Sequence, residues 1–248
     1  MKIAADLHIH STLSPCASLE MSPAAIVRRA RELALDVIAV TDHNSMANAF
    51  TAAALGEKAG VKVLLGMEAQ TSEDIHVLCL FEDRRRAEHF NDLIYSLLPD
   101  VDNNADYFGD QVVVDELDNI VRQEKKLLLN ALDLPLVELL EMVRAHGGVS
   151  IPSHVEAPPY GLLVNLGMVP AELADSLLEI SYASPIPQVL KNFPELGRHP
   201  LLSNSDAHFL KDIGRAHIIF DSPSAALPAL VAAARTGAFQ VVYPGSHG

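Results

Sequence analysis

The stretch "DLHIHSTLSPC", residues 6 to 16, sets an aspartate, two histidines and a cysteine close together near the start of the chain. Successive side chains of a strand point to opposite faces, so Asp6, His8 and His10 are expected on one face and Leu7 and Ile9 on the other. Two imidazoles inside an apolar strand then converge on one point, which is hard to satisfy without a metal. The arrangement recurs downstream, where apolar runs deliver ligand-type residues as they give out into loops. "VIAVTDHNS" ends in Asp42 and His43, "VLLGMEAQ" in Glu68, "VSIPSHVEAP" in His154, and "LLSNSDAH" in Asp206 and His208. In a parallel barrel all C-terminal strand ends open on one face, so these residues should share one pocket.

His76 follows Glu68 after seven intervening residues, too few for a parallel crossover of roughly a dozen or more. The run "IHVLCLF" should therefore pair antiparallel with the preceding strand or cross very tightly, and an antiparallel return would set His76 beside Glu68. His89, His146, His199, His217 and His247 lack this setting and read as ordinary polar side chains, with His146 next to a glycine that would end a helix. Ser153 neighbours His154, but adjacent residues of a strand point apart, so the two are no catalytic dyad. The sequence contains no HExxH, CxxC, GxxxxGK[ST], GxSxG or GxGxxG signature.

The elements that must position these residues alternate. Strand candidates are "KIAADLHIH", "LDVIAVTD", "VKVLLGME", "IHVLCLF", "GGVSIPSH", "LLEISYA", "PLLSNSD" and "RAHIIFD", separated by helical patterns. Such alternation predicts an α/β fold with a mostly parallel sheet. Helices should start at Ser22, Ser45, Asp133 and Asp221 or Ser222, and stop at Gly60, Gly147 and Gly237. With 248 residues and 49% hydrophobic content, one domain spanning 1–248 is expected. The segment from about 100 to 132 breaks the alternation and reads as a small hairpin or helical insertion decorating the barrel. Eight acids and one base, Arg122, lie between Asp100 and Glu124, as on a solvated face.

Two cysteines, Cys16 and Cys79, make no disulfide framework, which suggests a reducing compartment, the cytoplasm by default, or a metal role for one thiol. No apolar run approaches the roughly 18 residues that span a bilayer, so no membrane partner is expected. A formal charge of −14, with 5% aromatic residues and no tryptophan, disfavours a long nucleic acid as partner.

"DLHIHS", "TDHNS", Glu68 in "GMEAQ", His154 in "IPSHVEAP" and "NSDAH" resemble, in order and type, the motifs of the PHP (polymerase and histidinol phosphatase) superfamily. The match runs from residue 6 to residue 208, with the acidic insertion outside it. The resemblance implies a distorted (β/α)7 barrel, two or three divalent ions (zinc, manganese or iron) at its C-terminal face, and phosphoesterase activity. Carried over residue by residue, His8, His10, Glu68 and Asp206 would hold one ion. Glu68 would bridge to a second held by His76 and His154, and His43 and His208 would hold a third. Relatives place an aspartate or histidine five or six residues after the second histidine of the first motif, where Pro15 and Cys16 stand here. Proline cannot ligate. Cys16 is either a zinc ligand or a small buried apolar residue, and the number of ions turns on which.

Three such ions against the two carboxylates leave a local excess of roughly four positive charges, so an anionic substrate fits an acidic protein. Water activated between ions would attack phosphorus, and Asp206 or His208 could move the leaving group's proton. Arg215 and Lys211, just after "NSDAH", are the nearest candidates for a phosphate clamp or for solvated surface charges. The expected substrate is a small phosphate ester, a nucleotide or metabolite phosphate. Three alternatives stay open: a nuclease using the same cluster, an amidohydrolase-type hydrolase, which would want a bridging lysine at a strand end, and a non-catalytic barrel that binds metal or nucleotide.

Overall fold

A computed structural model describes residues 1–243, so His247 lies outside the described residues. Strand β1 (Lys2–Ile9) is followed by α1 (Pro23–Glu32), β2 (Val37–Val40), α2 (Ala47–Ala59), β3 (Lys62–Gln70), β4 (His76–Phe81) and α3 (Arg84–Leu97). After these come α4 (Ala105–Phe108), β5 (Val112–Val114), β6 (Ile120–Gln123), α5 (Leu136–Ala145), β7 (Val149–Pro152) and α6 (Leu162–Leu166). The remainder holds β8 (Leu178–Glu179), α7 (Ile186–Asn192), β9 (Leu201–Leu202), β10 (His217–Asp221), α8 (Leu227–Arg235) and β11 (Phe239–Val242).

Seven strands form one sheet in the order β11-β10-β1-β2-β3-β4-β7. β1, β2 and β3 run parallel, but β4 is antiparallel to both β3 and β7, and β10 is antiparallel to β1 and β11. The sheet is thus mixed rather than mostly parallel, because the turn between Gln70 and His76 is too short to cross over and the C-terminal hairpin adds to the near edge. The short parallel pair β8–β9 lies between the β7 edge and the C-terminal end of β1. Val155 N–H donates to Glu179 O at 2.9 Å, and Ala207 makes a parallel bridge with Ile9. The result is an α/β fold whose sheet curls into a half barrel.

Apolar side chains pack on both sides of the sheet. Ile38, Val40, Met67, Cys79 and Phe81 meet the helices through Ile26, Ala49, Phe90 and Ile94, while Ile3, Ala5, Leu7, Leu64, Leu78 and Leu80 pack with Phe220 and Leu230. Fully burying each larger side chain contributes roughly 1.5–3 kcal/mol. Leu7 and Ile9 lie in different clusters, contrary to strict alternation, because the β1–β2 register shifts between Asp6 and Ile9.

Local signals behave unevenly. Ser22 caps α1, accepting from Ala25 N–H at 3.2 Å, and Gly60, Gly147 and Gly237 follow helices with φ of 74°, 71° and 72°. α5 begins at Leu136 rather than near Asp133, because its first N–H is satisfied from outside by the Glu73 carboxylate at 3.0 Å. α8 begins at Leu227 rather than after Ser222, whose hydroxyl donates to Ser224 O in a turn instead.

The segment 100–132 is the expected hairpin, with β6 wholly exposed, but it does more than decorate. Asn48 and Thr12 donate to Val112 O at 3.0 Å, Asn44 donates to Leu128 O at 2.8 Å, and Leu128 is buried in the core. Gly109, at φ 102°, lies so close to Pro15 O that a side chain would collide with it. Among the described residues no helix is long and apolar enough to cross a membrane.

Candidate metal centre

Strand ends β1, β3, β4 and β7, with the loops after β2 and β9, bring eight side chains together. Glu68, 1% exposed on β3, is the hub. Its carboxylate lies 3.3 Å from His8 Nε2, 3.5 Å from His10 Nε2, 3.4 Å from His43 Nδ1, 3.1 Å from His76 Nδ1 and 3.2 Å from His154 Nε2. Asp206 Oδ1 approaches His8 Nε2 at 3.5 Å and His10 Nε2 at 3.3 Å. Gly66 permits this convergence two residues before Glu68, since a Cβ there would press on Thr41 and Leu80 at 2.8 and 2.9 Å. The antiparallel return of β4 pairs Gln70 with His76, which puts His76 on the Glu68 side as the short turn requires.

These separations match those between nitrogen and oxygen ligands of one tetrahedral ion, about 3.4 Å for bonds of about 2.1 Å. The buried Nδ1 atoms of His43 and His76 have no hydrogen-bond partner, and for His76, whose Nε2 faces Gln70, that is the state expected of a ligand atom awaiting a cation. Among the described residues, three overlapping groups could hold an ion: His8, His10 and Glu68; His43, Glu68 and His76; and His10, Cys16, His43 and His208. The donor set therefore fits divalent metal.

Four of the six imidazoles are aimed by a second contact. His8 Nδ1 pairs with Glu179 Oε2 at 2.9 Å, and Asn204 donates to the other Glu179 oxygen at 2.8 Å. His10 Nδ1 meets Ser14 Oγ at 3.0 Å, and that hydroxyl donates to Asp42 at 2.7 Å. Asp42, a candidate by its place at a strand end, turns inward to Ser11 and Ser14 instead of joining the cluster. His76 Nε2 faces Gln70 Oε1 at 3.4 Å, and His208 Nδ1–H donates to Asp206 O at 2.9 Å, leaving Nε2 free to face the cavity. Such contacts fix which nitrogen carries the lone pair.

Asp6 does not reach the cluster. Its carboxylate accepts from Ser205 N–H at 3.0 Å and Gly214 N–H at 2.9 Å, and so pins the loop that carries Asp206 and His208. Asn44, His154 and Asp206 hold φ of 49°, 32° and 48°, three of the six described non-glycine residues with positive φ. Arg215 also serves the loop: Nε donates to Ser205 O at 2.7 Å, a terminal nitrogen to Asp206 O at 3.0 Å, and the guanidinium stacks 3.3 Å above Tyr182. Lys211 is exposed over Phe209. Neither Arg215 nor Lys211 lines the cavity, and no lysine or arginine is among the described residues that do.

That cavity, about 440 Å³, is walled by Leu129, Pro158, Pro159, Tyr160 and Tyr182, with Cys16, His43, Glu68, His76, His154, Asp206 and His208 at its floor and rim. Tyr160 stacks on His76 with ring centres 4.1 Å apart and planes within 9°. Cys16 is exposed at the rim, not turned into the core, with Sγ 3.4 Å from His43 Nε2. Protein packed around the sulfur, then the carboxylates of Glu68, Asp206 and Asp42, push its thiol pKa up.

Electrostatics follow the layout. Burial pushes the His10 pKa down to about 4, aided by His208, and burial together with His10 pushes His43 well down. His8 is raised well above the usual value: burial opposes, but Glu179, Glu68 and Asp206 outweigh it. Burial would raise Glu68 and Asp206, yet the neighbouring imidazoles, His76 and His8 for the first, His8 and His10 for the second, hold both ionised.

Sequence reasoning missed Glu179, Asn204, Gln70 and Tyr160. Glu179 carried a usable signal, a lone carboxylate inside the apolar run "LLEIS", which needs a partner once buried. His89 and His146 pair with each other at 3.1 Å on the surface, and His199 and His217 bond backbone carbonyls, so none of the four enters the cluster.

Comparison with known proteins agrees with this architecture. A PHP domain model matches residues 6–145, running through the acidic segment, and a PHP-associated model matches 197–239, which includes Asp206 and His208; His154 falls between the two. No curated protein sequence matches. The lesion-specific endonuclease PfuEndoQ from Pyrococcus furiosus superposes with a TM-score of 0.70 at 20% identity, over 97% of this chain and 58% of that one. An endonuclease Q complex with a 27-mer duplex bearing an abasic lesion at the active site aligns equally well, at 0.70 and 20% over 95% and 57%. This chain thus spans little more than half the length of these structures. A protein from Chromobacterium violaceum described as an amidohydrolase, with bound sulfate, gives 0.57 at 18% over 98% of both chains. With most of the chain's first half and its C-terminal ligand loop matched, and the metal-capable cluster in place, the chain belongs to the PHP domain family.

Proposed function

We propose that this chain is a metal-dependent phosphoesterase hydrolysing a small phosphate ester, a nucleotide or metabolite phosphate, with two or three divalent ions. One observation carries the reading: a single buried carboxylate, Glu68, has five imidazole nitrogens within 3.5 Å. No purely structural role explains that convergence, because five imidazoles and a carboxylate cannot satisfy one another by hydrogen bonds. His8, His10, Glu68 and Asp206 would hold one ion, Glu68 with His76 and His154 a second, and His43 with His208 a third. We also read β8 and β9 as completing, with β1, β2, β3, β4 and β7, the seven staves of the family's barrel.

Bound ions supply Lewis-acid stabilisation of phosphoryl oxygens and an activated water. The chain's own groups do the rest. Glu179, Ser14 and Gln70 orient His8, His10 and His76. Asp206, held ionised, can accept but not donate a proton, and His208, which gives Nδ1–H to Asp206 O and would use Nε2 as a ligand, has none to deliver, so the departing oxygen would take its proton from water. Tyr160, Tyr182 and the proline pair narrow the cavity around a small leaving group and exclude water. The absence of lysine and arginine from its described lining, with a net charge of −14, favours a compact ester over a long polyanion.

A nuclease is the second reading. Its support is the endonuclease Q fold, which in that protein engages duplex DNA, so the acidity of this chain does not by itself exclude a nucleic acid. The test is metal content of wild type with His8→Ala and Glu68→Ala controls, followed by turnover of p-nitrophenyl phosphate, bis-p-nitrophenyl phosphate, an abasic duplex and a p-nitroanilide amide. Metal that both substitutions deplete, with monoester turnover, is expected. Preference for the diester or duplex would favour the nuclease, amide hydrolysis alone the amidohydrolase reading, and failure to hold zinc or manganese would overturn the mechanism.

A further inference from the structure

Cys16 is the one member of the cluster whose chemistry differs from nitrogen and carboxylate oxygen. Its Sγ is 3.4 Å from His43 Nε2 and belongs with His10, His43 and His208 to a group whose ligand atoms all lie within 4.8 Å of one another. A tetrahedral ion bound to sulfur at about 2.3 Å and nitrogen at about 2.0–2.1 Å sets those atoms about 3.6 Å apart, close to the spacing seen. The loop is held for this purpose at four points. Ser14 Oγ accepts from His43 N–H at 3.2 Å, Ala17 N–H donates to Ser14 O at 2.9 Å, and Ser18 N–H donates to His208 O at 2.9 Å. Gly109 of the acidic insertion packs against Pro15 O from the other side. Cys16 is thus fixed relative to both His43 and His208, although the Cys16 side chain itself is exposed and contributes nothing to the core.

We propose that Cys16 is a sulfur ligand, making the position it shares with His43 and His208 a zinc-selective site beside the harder, carboxylate-bearing positions around Glu68. The inference rests on the metal-centre reading above. Sulfur and imidazole select zinc over manganese and magnesium, whereas Glu68 and Asp206 accept either class. On binding, the S–H bond breaks, its proton passes to water, and the sulfur–metal bond forms. Three protein ligands leave a fourth position open to water or substrate, the pattern of a catalytic rather than a closed structural zinc. His10, the remaining member, presents Nε2 to Asp206 Oδ1 at 3.3 Å and so belongs to the neighbouring position.

The test uses the full chain with cobalt(II) or zinc(II) alone and does not depend on turnover. Cobalt-loaded wild type should show a sulfur-to-cobalt charge-transfer band in the near ultraviolet. Cys16→Ser should lose the band and one metal equivalent, and Cys16→Asp should keep the equivalent without the band while shifting preference toward manganese. Zinc should also slow alkylation of Cys16 by iodoacetamide at least about tenfold relative to chelator-treated protein. Cys79 is fully buried, so the reactive thiol reports Cys16. Two or more equivalents of cobalt without the band, or alkylation indifferent to zinc, would overturn the sulfur ligand while leaving the Glu68 centre standing. No cobalt bound at all would overturn both.

Discussion

Two pairs of histidines in this molecule have almost the same spacing and opposite surroundings. His8 and His10 bring Nε2 atoms to 3.2 Å with no exposure, between Glu68 and Asp206 and backed by Glu179 and Ser14. His89 and His146 bring nitrogens to 3.1 Å on the outer surface, where His146 Nδ1–H donates to Met142 O and the neighbouring ring is Phe90. Nitrogen spacing is therefore not what makes a metal centre. Carboxylates within reach, burial that forbids water from substituting, and outer contacts that fix the lone pairs separate the first pair from the second.

The largest effect should come from the hub of the first pair. Glu68→Gln keeps the shape but removes the charge that all five imidazoles face, and metal affinity should fall by more than the roughly 100-fold typical of losing an outer contact. Elemental analysis after dialysis, with turnover in parallel, would show it; retained metal would break the contrast. Glu179→Gln should cost about 10–100-fold in metal affinity with the fold preserved, read by metal titration and circular dichroism.

A pH series sharpens the same distinction. In the metal-free chain His8 and His154 are raised and must release protons to bind metal, whereas His10, near 4, is already neutral above about pH 5. Affinity should rise with pH by at least about tenfold per unit wherever His8 is protonated, with proton release measurable in buffers of different ionisation enthalpy. A flat profile between pH 6 and 8 would contradict the environment assigned to His8. Asp6→Asn, which loosens the loop bearing Asp206 without touching the cluster, should cost about 1–3 kcal/mol in denaturant unfolding and less in metal affinity than Glu179→Gln. Smallest of all, His146→Ala should leave metal content and turnover unchanged. Loss of a metal equivalent there would erase the comparison.

The sequence displayed the first pair plainly, because HxH in an apolar strand and ligand-type residues at successive strand ends are signals of spacing alone. His76 followed from chain length: the turn after Glu68 was too short for an ordinary crossover, and the strand does return antiparallel. Other features depended on facts no local pattern holds. Asp6 parts company with His8 because of a register shift against β2, and Asp42 turns to Ser11 and Ser14 because the loop after β1 folds over it. Arg215 looked free in sequence, but the carbonyls of Ser205 and Asp206 lie within its reach only once the loop has turned at Asp206. The insertion read as decoration because most of its acids face solvent, but Glu124 is buried and accepts from Tyr95 OH, and the contacts that count most, Val112 O and Leu128 O, are backbone atoms invisible to composition.

The described lining of the cavity contains Glu68 and Asp206 but neither lysine nor arginine. Without ions a phosphate dianion would meet two carboxylates there, offset only by the raised imidazoles of His8 and His154, so the chelated chain should hold the proposed ester far more weakly than the loaded one. The favoured order of assembly is then cations before ester. Substrate analogues should protect the chain against heat only when metal is already present.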